Sequence, residues 1–238
     1  MPVTDARLWC VVPAAGRGAR VGGDVPKQYL PIAGKPLLLH TLERLAAHPC
    51  IAGLMLVLAA DDANWIGARE IGGKPVLTAI GGDERAASVL AGLRALHDKL
   101  KESEFVLVHD AARPCVREAD ISRLIELGIP GGGGLLAAPV RDTLKRADAH
   151  ARVAATEPRE ARWRALTPQL FRLGELVQAL ESAHDAGIAV TDEAMAMERA
   201  GHRPLLVEGG EDNIKVTTPA DFALVEFLLQ QELMVRNR

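Results

Sequence analysis

An uncharged run that stops at a proline and opens into glycine constrains this chain more than any other feature. Leu8-Trp9-Cys10-Val11-Val12-Pro13 is followed at once by Ala14-Ala15-Gly16-Arg17-Gly18-Ala19-Arg20-Val21-Gly22-Gly23. A short apolar run with no polar alternation reads as a strand buried on both faces, and the small residues after it read as a loop at its carboxyl end. Similar runs recur at 54–58, 75–80, 105–108 and 135–140. Between them the apolar period changes to that of a helix. Leu38, Leu42 and Leu45 share one face; Ala86, Val89, Leu90, Leu93 and Leu96 form a stripe across 85–97; Ile121, Leu124, Ile125 and Leu127 lead to a stop at Gly128. Helices resume near Leu173 and after Thr191. A last one begins at Thr218-Pro219-Ala220-Asp221, where Thr caps, Pro fits the first turn and Asp favours the dipole. Gly131 to Gly134 read as a plain loop before a strand.

Strands alternating with helices predict an α/β fold, a mostly parallel sheet with helices on both faces. The 238 residues suit a single domain, and 48% hydrophobic content is enough for its core. Ligands of such sheets bind beyond the carboxyl ends of the strands. The polar clusters after Pro13, Ile80 and Val108 all fall there.

Several classes are disfavoured. No apolar run reaches the roughly 20 residues of a membrane span, and the polar start lacks a signal-peptide layout, so a cytosolic protein without membrane attachment is expected. A net charge of −3 argues against broad nucleic-acid binding. Cys10, Cys50 and Cys115 are scattered and form no CxxC pair, which argues against zinc and a disulfide framework. Cys10 reads as core. Cys115 has no legible partner that would activate it as a nucleophile.

Residues 141–163 break the rhythm. The stretch is polar and carries Arg141, Lys145, Arg146, Arg152, Arg159 and Arg162. It suits an arm reaching to an anion or a partner, and equally a solvated hairpin.

The chemistry-bearing residues fall in loops. The loop after Pro13 is neither the dinucleotide fingerprint, because Val21 stands where glycine is needed, nor a Walker loop. It adds Arg20 and then Pro26-Lys27-Gln28-Tyr29; two cations beside a glycine-rich loop favour a polyphosphate site. Gly81-Gly82-Asp83-Glu84-Arg85 opens a helix carrying Ser88. Asp83 and Ser88 can bond ribose or base, although Asp83 also reads as a helix cap. His109-Asp110-Ala111-Ala112-Arg113-Pro114 offers an acid for a metal ion, and Glu211-Asp212-Asn213-Ile214-Lys215 is a second acid-and-cation cluster.

These segments resemble a known family. Pro-Ala-Ala-Gly-x-Gly-x-Arg at Pro13, Pro-Lys-Gln-Tyr at Pro26, Gly-Gly-Asp-Glu-Arg at Gly81 and Val-His-Asp-Ala-Ala-Arg-Pro at Val108 occur in that order. Ala138-Pro139-Val140-Arg141-Asp142-Thr143, Leu166-Thr167-Pro168-Gln169, Thr191-Asp192-Glu193-Ala194 and Asp212-Asn213-Ile214-Lys215-Val216-Thr217 follow. The ordered set is similar to the 2-C-methyl-D-erythritol 4-phosphate cytidylyltransferases of the non-mevalonate isoprenoid pathway, from about Leu8 to Phe227. The resemblance implies a Rossmann-like nucleotidyltransferase fold with a projecting β-hairpin arm at about 141–163. It also implies a homodimer formed by arm exchange, the substrates CTP and 2-C-methyl-D-erythritol 4-phosphate, and Mg2+ as cofactor. By position, Arg20, Lys27 and Lys215 match the catalytic cations. Pro13, Ala14, Ala15, Gly16, Gly82, Asp83, Arg85, Ser88 and Ala111 match CTP contacts. Asp110, Thr143, Arg159 and Thr167 match acceptor contacts, with Arg159 delivered by the partner's arm and Arg162 as its alternative. Asp110 and Asp212 match the acids near the metal.

The implied chemistry suits these residues. A phosphate monoester has its second pKa near ~6, so the acceptor is already a dianionic nucleophile and requires no general base. His109 is therefore expected to be a structural neighbour of Asp110. The difficulty is repulsion, roughly 4 kcal/mol per pair of unit charges at 4 Å and an effective dielectric of 20. Fixed cations and a metal must offset it. Two other readings compete: a cytidylyltransferase for another polyol phosphate such as ribitol 5-phosphate, and a non-catalytic nucleotide-binding regulator, which has no use for Arg20, Lys27 and Lys215 together. An NAD-dependent oxidoreductase is disfavoured by the failed fingerprint.

Overall fold

The computed structural model describes residues 6–16 and 25–236. Arg20 and the glycine-rich loop beyond Gly16 lie outside the described residues. In chain order the strands are β1 (Leu8–Pro13), β2 (Pro31–Ile32), β3 (Lys35–Pro36), β4 (Ile51–Leu58), β5 (Glu70–Ile71), β6 (Lys74–Ile80), β7 (Phe105–Val108), β8 (Gly134–Pro139), β9 (Leu144–Ala147), β10 (Val153–Glu157), β11 (Trp163–Arg172) and β12 (Leu205–Glu208). The helices are α1 (Leu37–Ala46), α2 (Arg85–Arg94), α3 (Glu118–Gly128), α4 (Leu173–Asp185), α5 (Glu193–Arg199) and α6 (Pro219–Arg236).

Eight strands form one sheet in the order β12-β8-β11-β7-β1-β4-β6-β5. β1 lies at its centre, parallel to β4 and β7. Successive strands run outward from β1 to β4 and β6, and β7 then crosses to the other side, so the order reverses between β1 and β7. Alternation along β1 divides the core. Leu8, Cys10 and Val12 pack with Leu38, Leu42 and Leu45 of α1 and Ile121, Leu124 and Ile125 of α3. Val11 faces the other way, with Val89 and Leu93 of α2 and Leu173, Leu176 and Leu180 of α4. A third cluster, including Ile32, Leu37, Cys115, Val216, Val225 and Leu229, seats α6. Asp221, in the first turn of α6, accepts from the amides of Thr217 at 2.8 Å and Thr218 at 2.7 Å, which ties the chain entering the helix to its first turn.

The structure revises several expectations. α2 ends at Arg94, not His97, because Leu96 and His97 bond to the carbonyls of Leu93 and Arg94 in tighter i→i+3 turns; Leu96 nevertheless stays fully buried. Glu84, not Asp83, occupies the cap of α2, and no side chain caps it. β11 and β12 have no counterpart among the expected strands. β11 is antiparallel to both neighbours and carries Pro168, which cannot donate to a ladder. Its register against β8 shifts between Ala165 and Gln169. The peptide bond Thr167-Pro168 is cis. Residues 141–163 do contain a hairpin: β9 and β10 pair antiparallel in a sheet of their own, and Val153 is 66% exposed.

Candidate active site

The loops that leave β1, β6 and β7 at their carboxyl ends meet where the strand order reverses, as the doubly wound rule requires. Backbone bonds fix the first two: Ala14 donates to Val57 of β4, and Gly81 donates to Leu58. Ala14 is buried and Gly16 exposed, so the loop rises from core to solvent over three residues. Gln28, 4% exposed in the short helical turn Lys27–Tyr29, donates to the carbonyl of Ala14 at 2.7 Å. The Pro-Lys-Gln-Tyr segment thus clamps the loop after β1 as well as carrying Lys27. Glycine is required at position 81. A Cβ there would lie 2.6 Å from the Ser88 hydroxyl and 2.7 Å from the Ala15 methyl. The Ser88 hydroxyl donates to the carbonyl of Gly82 at 3.2 Å. Ala15, Gly81, Gly82 and Ser88 therefore form one close-packed floor, with Asp83 exposed at its edge.

Asp110, at the end of β7, is the electrostatic centre. Its side chain is 7% exposed and meets three cations. Oδ1 accepts from Arg85 Nε at 2.9 Å; Oδ2 accepts from Arg113 Nε at 3.2 Å and pairs with Lys215 Nζ at 2.9 Å. Burial alone would raise the carboxyl's pKa, but the charges of Arg85, Lys215 and Arg113 overcome it and hold Asp110 ionised far below the usual carboxylate range. Arg85 turns its two terminal nitrogens onto Glu193, at 2.7 and 3.1 Å. Burial opposes the Arg85 charge, and Glu193 and Asp110 more than restore it. Arg85, matched by resemblance to a CTP contact, is here committed to two carboxylates.

His109 is fully buried. Its Nδ1 lies 3.0 Å from the Thr167 hydroxyl and its Nε2 3.0 Å from the carbonyl of Arg113. The Asp110 amide donates to the same Thr167 oxygen at 3.1 Å. That oxygen accepts from Asp110 and donates to Nδ1, so the imidazole carries its proton on Nε2 and passes it to the carbonyl. Burial pushes its pKa down to about 4. His109 is a neutral brace beneath Asp110, with no free nitrogen for base chemistry.

Distant segments complete the site. Lys27 Nζ donates to the carbonyl of Val216 at 2.7 Å, one residue from Lys215. Asn213 donates to the carbonyl of Thr167 at 2.7 Å, and Arg113 donates to the carbonyl of Asn213 at 2.7 Å. Ala111 is held by the Thr41 hydroxyl, which donates to its carbonyl at 2.9 Å. Two sequence-matched acceptor residues lie further out. Thr143 is exposed where the arm begins, and Arg159 is exposed at the arm's base, donating to the carbonyl of Arg141 in its own chain. Gln28, Arg113, Glu193 and Asn213 were not singled out as site residues from sequence, although each lies inside a motif segment that was.

Among the described residues no group of three or more His, Cys, Asp or Glu side chains is gathered for a metal. Magnesium takes one or two carboxylates and fills its remaining positions with phosphate oxygens and water. Asp110 Oδ1, which accepts from Arg85, has capacity for a second partner. Asp212 belongs to a different ion pair, with Arg117 at 2.5 and 3.1 Å, and its Oδ1 is buried without a hydrogen-bond partner. Asn213 Oδ1 beside it is likewise buried without a partner, and the charged Asp212 oxygen is the one chemically suited to a cation.

The cysteines take no part. All three are buried and none forms a disulfide, and burial pushes the Cys115 thiol up to about 12.

Known proteins share both sequence and fold with this chain. Residues 8–231 match the family described as "IspD: 2-C-methyl-D-erythritol 4-phosphate cytidylyltransferase". A protein of that name from Stenotrophomonas maltophilia (strain R551-3) is 62% identical over 228 residues, covering 95% of this chain and 98% of the relative. A crystal structure of a 4-diphosphocytidyl-2C-methyl-D-erythritol synthase superposes with a TM-score of 0.82 at 35% identity, covering 94% of this chain and 99% of the other. The 2-C-methyl-D-erythritol 4-phosphate cytidylyltransferase of Francisella tularensis superposes with a TM-score of 0.79 at 32% identity, covering 94% of this chain and all of the other. Sequence and topology agree, and the chain belongs to the 2-C-methyl-D-erythritol 4-phosphate cytidylyltransferase family.

Proposed function

We infer that the chain transfers the cytidylyl group of CTP to 2-C-methyl-D-erythritol 4-phosphate, giving 4-CDP-2-C-methyl-D-erythritol and pyrophosphate, a step of isoprenoid precursor synthesis by the non-mevalonate pathway. The observation that carries this reading is the convergence of Lys27 and Lys215. Residues 189 apart along the chain are joined when Lys27 donates to Val216, and the neighbouring Lys215 pairs with Asp110. Such an array of fixed cations stabilises charge that builds on phosphoryl oxygens during transfer. The acceptor phosphate attacks the α-phosphorus of CTP as a dianion, and the committed His109 fits a reaction that needs no general base.

CTP lies on the floor formed by Ala14, Ala15, Gly16, Gly82 and Ser88, with Pro13, Asp83 and Ala111 around it. Thr167 and Asp110 face the acceptor. Arg20 joins Lys27 and Lys215 as the third catalytic cation. Magnesium is the metal proposed; Asp110 and Asp212 would supply its carboxylates, and when bound it would neutralise charge on the phosphates. The enzyme is a homodimer that exchanges its arms, so that Thr143 and Arg159 complete the acceptor pocket. It works in the cytosol, and no helix among the described residues is long and apolar enough to cross a membrane. The family match gives the ribitol 5-phosphate alternative no support.

The test is pyrophosphate release from CTP, magnesium and a panel of polyol phosphates. Turnover is expected with 2-C-methyl-D-erythritol 4-phosphate and not with ribitol 5-phosphate; the reverse preference overturns the reading. With UTP the specificity constant should be at least about tenfold lower, because uracil presents an acceptor where cytosine presents a donor and leaves a buried group unpaired. Equal constants for CTP and UTP would sink the proposed base pocket.

Gly81→Ala tests the floor. Its methyl would overlap Ser88 and Ala15, and overpacking of about 1–3 kcal/mol must part the two loops. CTP affinity, measured by titration calorimetry, is expected to fall about tenfold or more. Unchanged affinity would show that nucleotide does not rest there.

A further inference from the structure

The segment Thr191-Asp192-Glu193-Ala194 takes no part in the chemistry above, yet it delivers a carboxylate with 1% exposure to the edge of the site. We infer that Glu193 is a positioning residue for the transfer reaction, acting through Arg85 on Asp110 and thereby on Lys215; the inference rests on the cytidylyl-transfer reading.

Glu193 is held from both sides. Asp192 accepts from the Met195 amide at 3.0 Å and from Gln169 Nε2 at 3.0 Å, and Gln169 Oε1 accepts from the Ala194 amide at 2.7 Å. Gln169 lies on β11, two residues from Thr167. The strand that braces His109 and Asp110 therefore also sets the backbone of Glu193. From that anchor Glu193 receives both terminal nitrogens of Arg85. A guanidinium is a rigid planar fork, so fixing those two nitrogens fixes the direction of the third, Nε, which donates to Asp110 Oδ1.

The consequence is a division of Asp110's two oxygens. Oδ1 is held by the tethered Arg85, and Oδ2 is presented to Arg113 and Lys215. Arg85, Arg113 and Lys215 against Asp110 and Glu193 leave one net positive charge in the cluster. Without the Glu193 charge, Arg85 loses its anchor, Asp110 is free to rotate among the cations, and the Lys215 ammonium is no longer fixed. A buried ion pair is weak evidence for a stabilising role, since its desolvation offsets its attraction. The bidentate geometry, aimed through Arg85 at a residue of the site, points to orientation.

The experiment compares wild type, Glu193→Gln, Arg85→Gln and the double variant, with kcat and KM for both substrates from pyrophosphate release and the folded fraction from circular dichroism. Glu193→Gln is expected to lower kcat on the order of tenfold or more, with both KM values within about twofold, and the double variant should be no slower than Arg85→Gln alone, as members of one network behave. Glu193→Asp, which keeps the charge, should recover part of the loss. A merely structural role would lower the melting temperature and leave kcat per folded molecule unchanged; that result overturns the inference, as do losses that multiply in the double variant. Should Glu193→Gln fail to fold, Glu193→Asp replaces it, and its non-additivity with Arg85→Gln decides. A wild type inactive with CTP and the acceptor would overturn the functional reading itself, whereas an active wild type with an unchanged Glu193→Gln overturns only the positioning role.

Discussion

Lys215→Ala is expected to cut turnover by at least about 100-fold, the scale of removing one preorganised charge from a transition state, while the protein stays folded. The Lys215 side chain is 37% exposed, and Asp110 keeps Arg85 and Arg113 after the ammonium is gone. No carboxylate is left buried without a partner, so the loss should appear in kcat and not in the melting temperature. Lys27→Ala should behave alike, because its ammonium sits at Val216 beside Lys215. Steady-state kinetics with a thermal melt on the same preparations checks both. Turnover near wild type in either variant removes that lysine from the mechanism.

Mixed dimers of Arg159→Ala and Lys27→Ala subunits, assayed with acceptor well below the raised KM, should recover activity that neither homodimer shows there. Strands β9 and β10 of the arm form a two-stranded sheet of their own, and the arm's base presents an exposed Arg159. If the arm reaches across a two-fold interface, one site of the heterodimer carries both lesions and the other carries neither, so about half of the wild-type activity per heterodimer returns. If Arg159 serves its own subunit, each site keeps one lesion and the mixture stays nearly dead, which refutes the exchange. The guanidinium suits a phosphate through paired hydrogen bonds. Arg159→Ala should accordingly raise the KM of the acceptor and leave CTP binding intact.

Sequence determined the layered α/β plan, because burial leaves a local periodic trace. Leu8, Cys10 and Val12 face one helical layer and Val11 the other, and the unbroken apolar run is the mark of a strand covered on both faces. It also determined the order of the motif loops and the family, since close backbone approach demands glycine at places such as Gly81. β11 was not legible. Pro168 argues against a strand interior, and only the neighbouring β7 and β8, whose pairing with β11 is non-local, override that preference. Ion-pair partners were equally hidden. Glu193 and Arg85 lie 108 residues apart, and Arg117 and Asp212 lie 95 apart. A charge in sequence carries no direction, and any of several cations could pair with Asp110. Tertiary closure alone decided which oxygens and nitrogens came within hydrogen-bond reach, and so brought Arg85 onto Asp110 and the Thr167 hydroxyl onto His109.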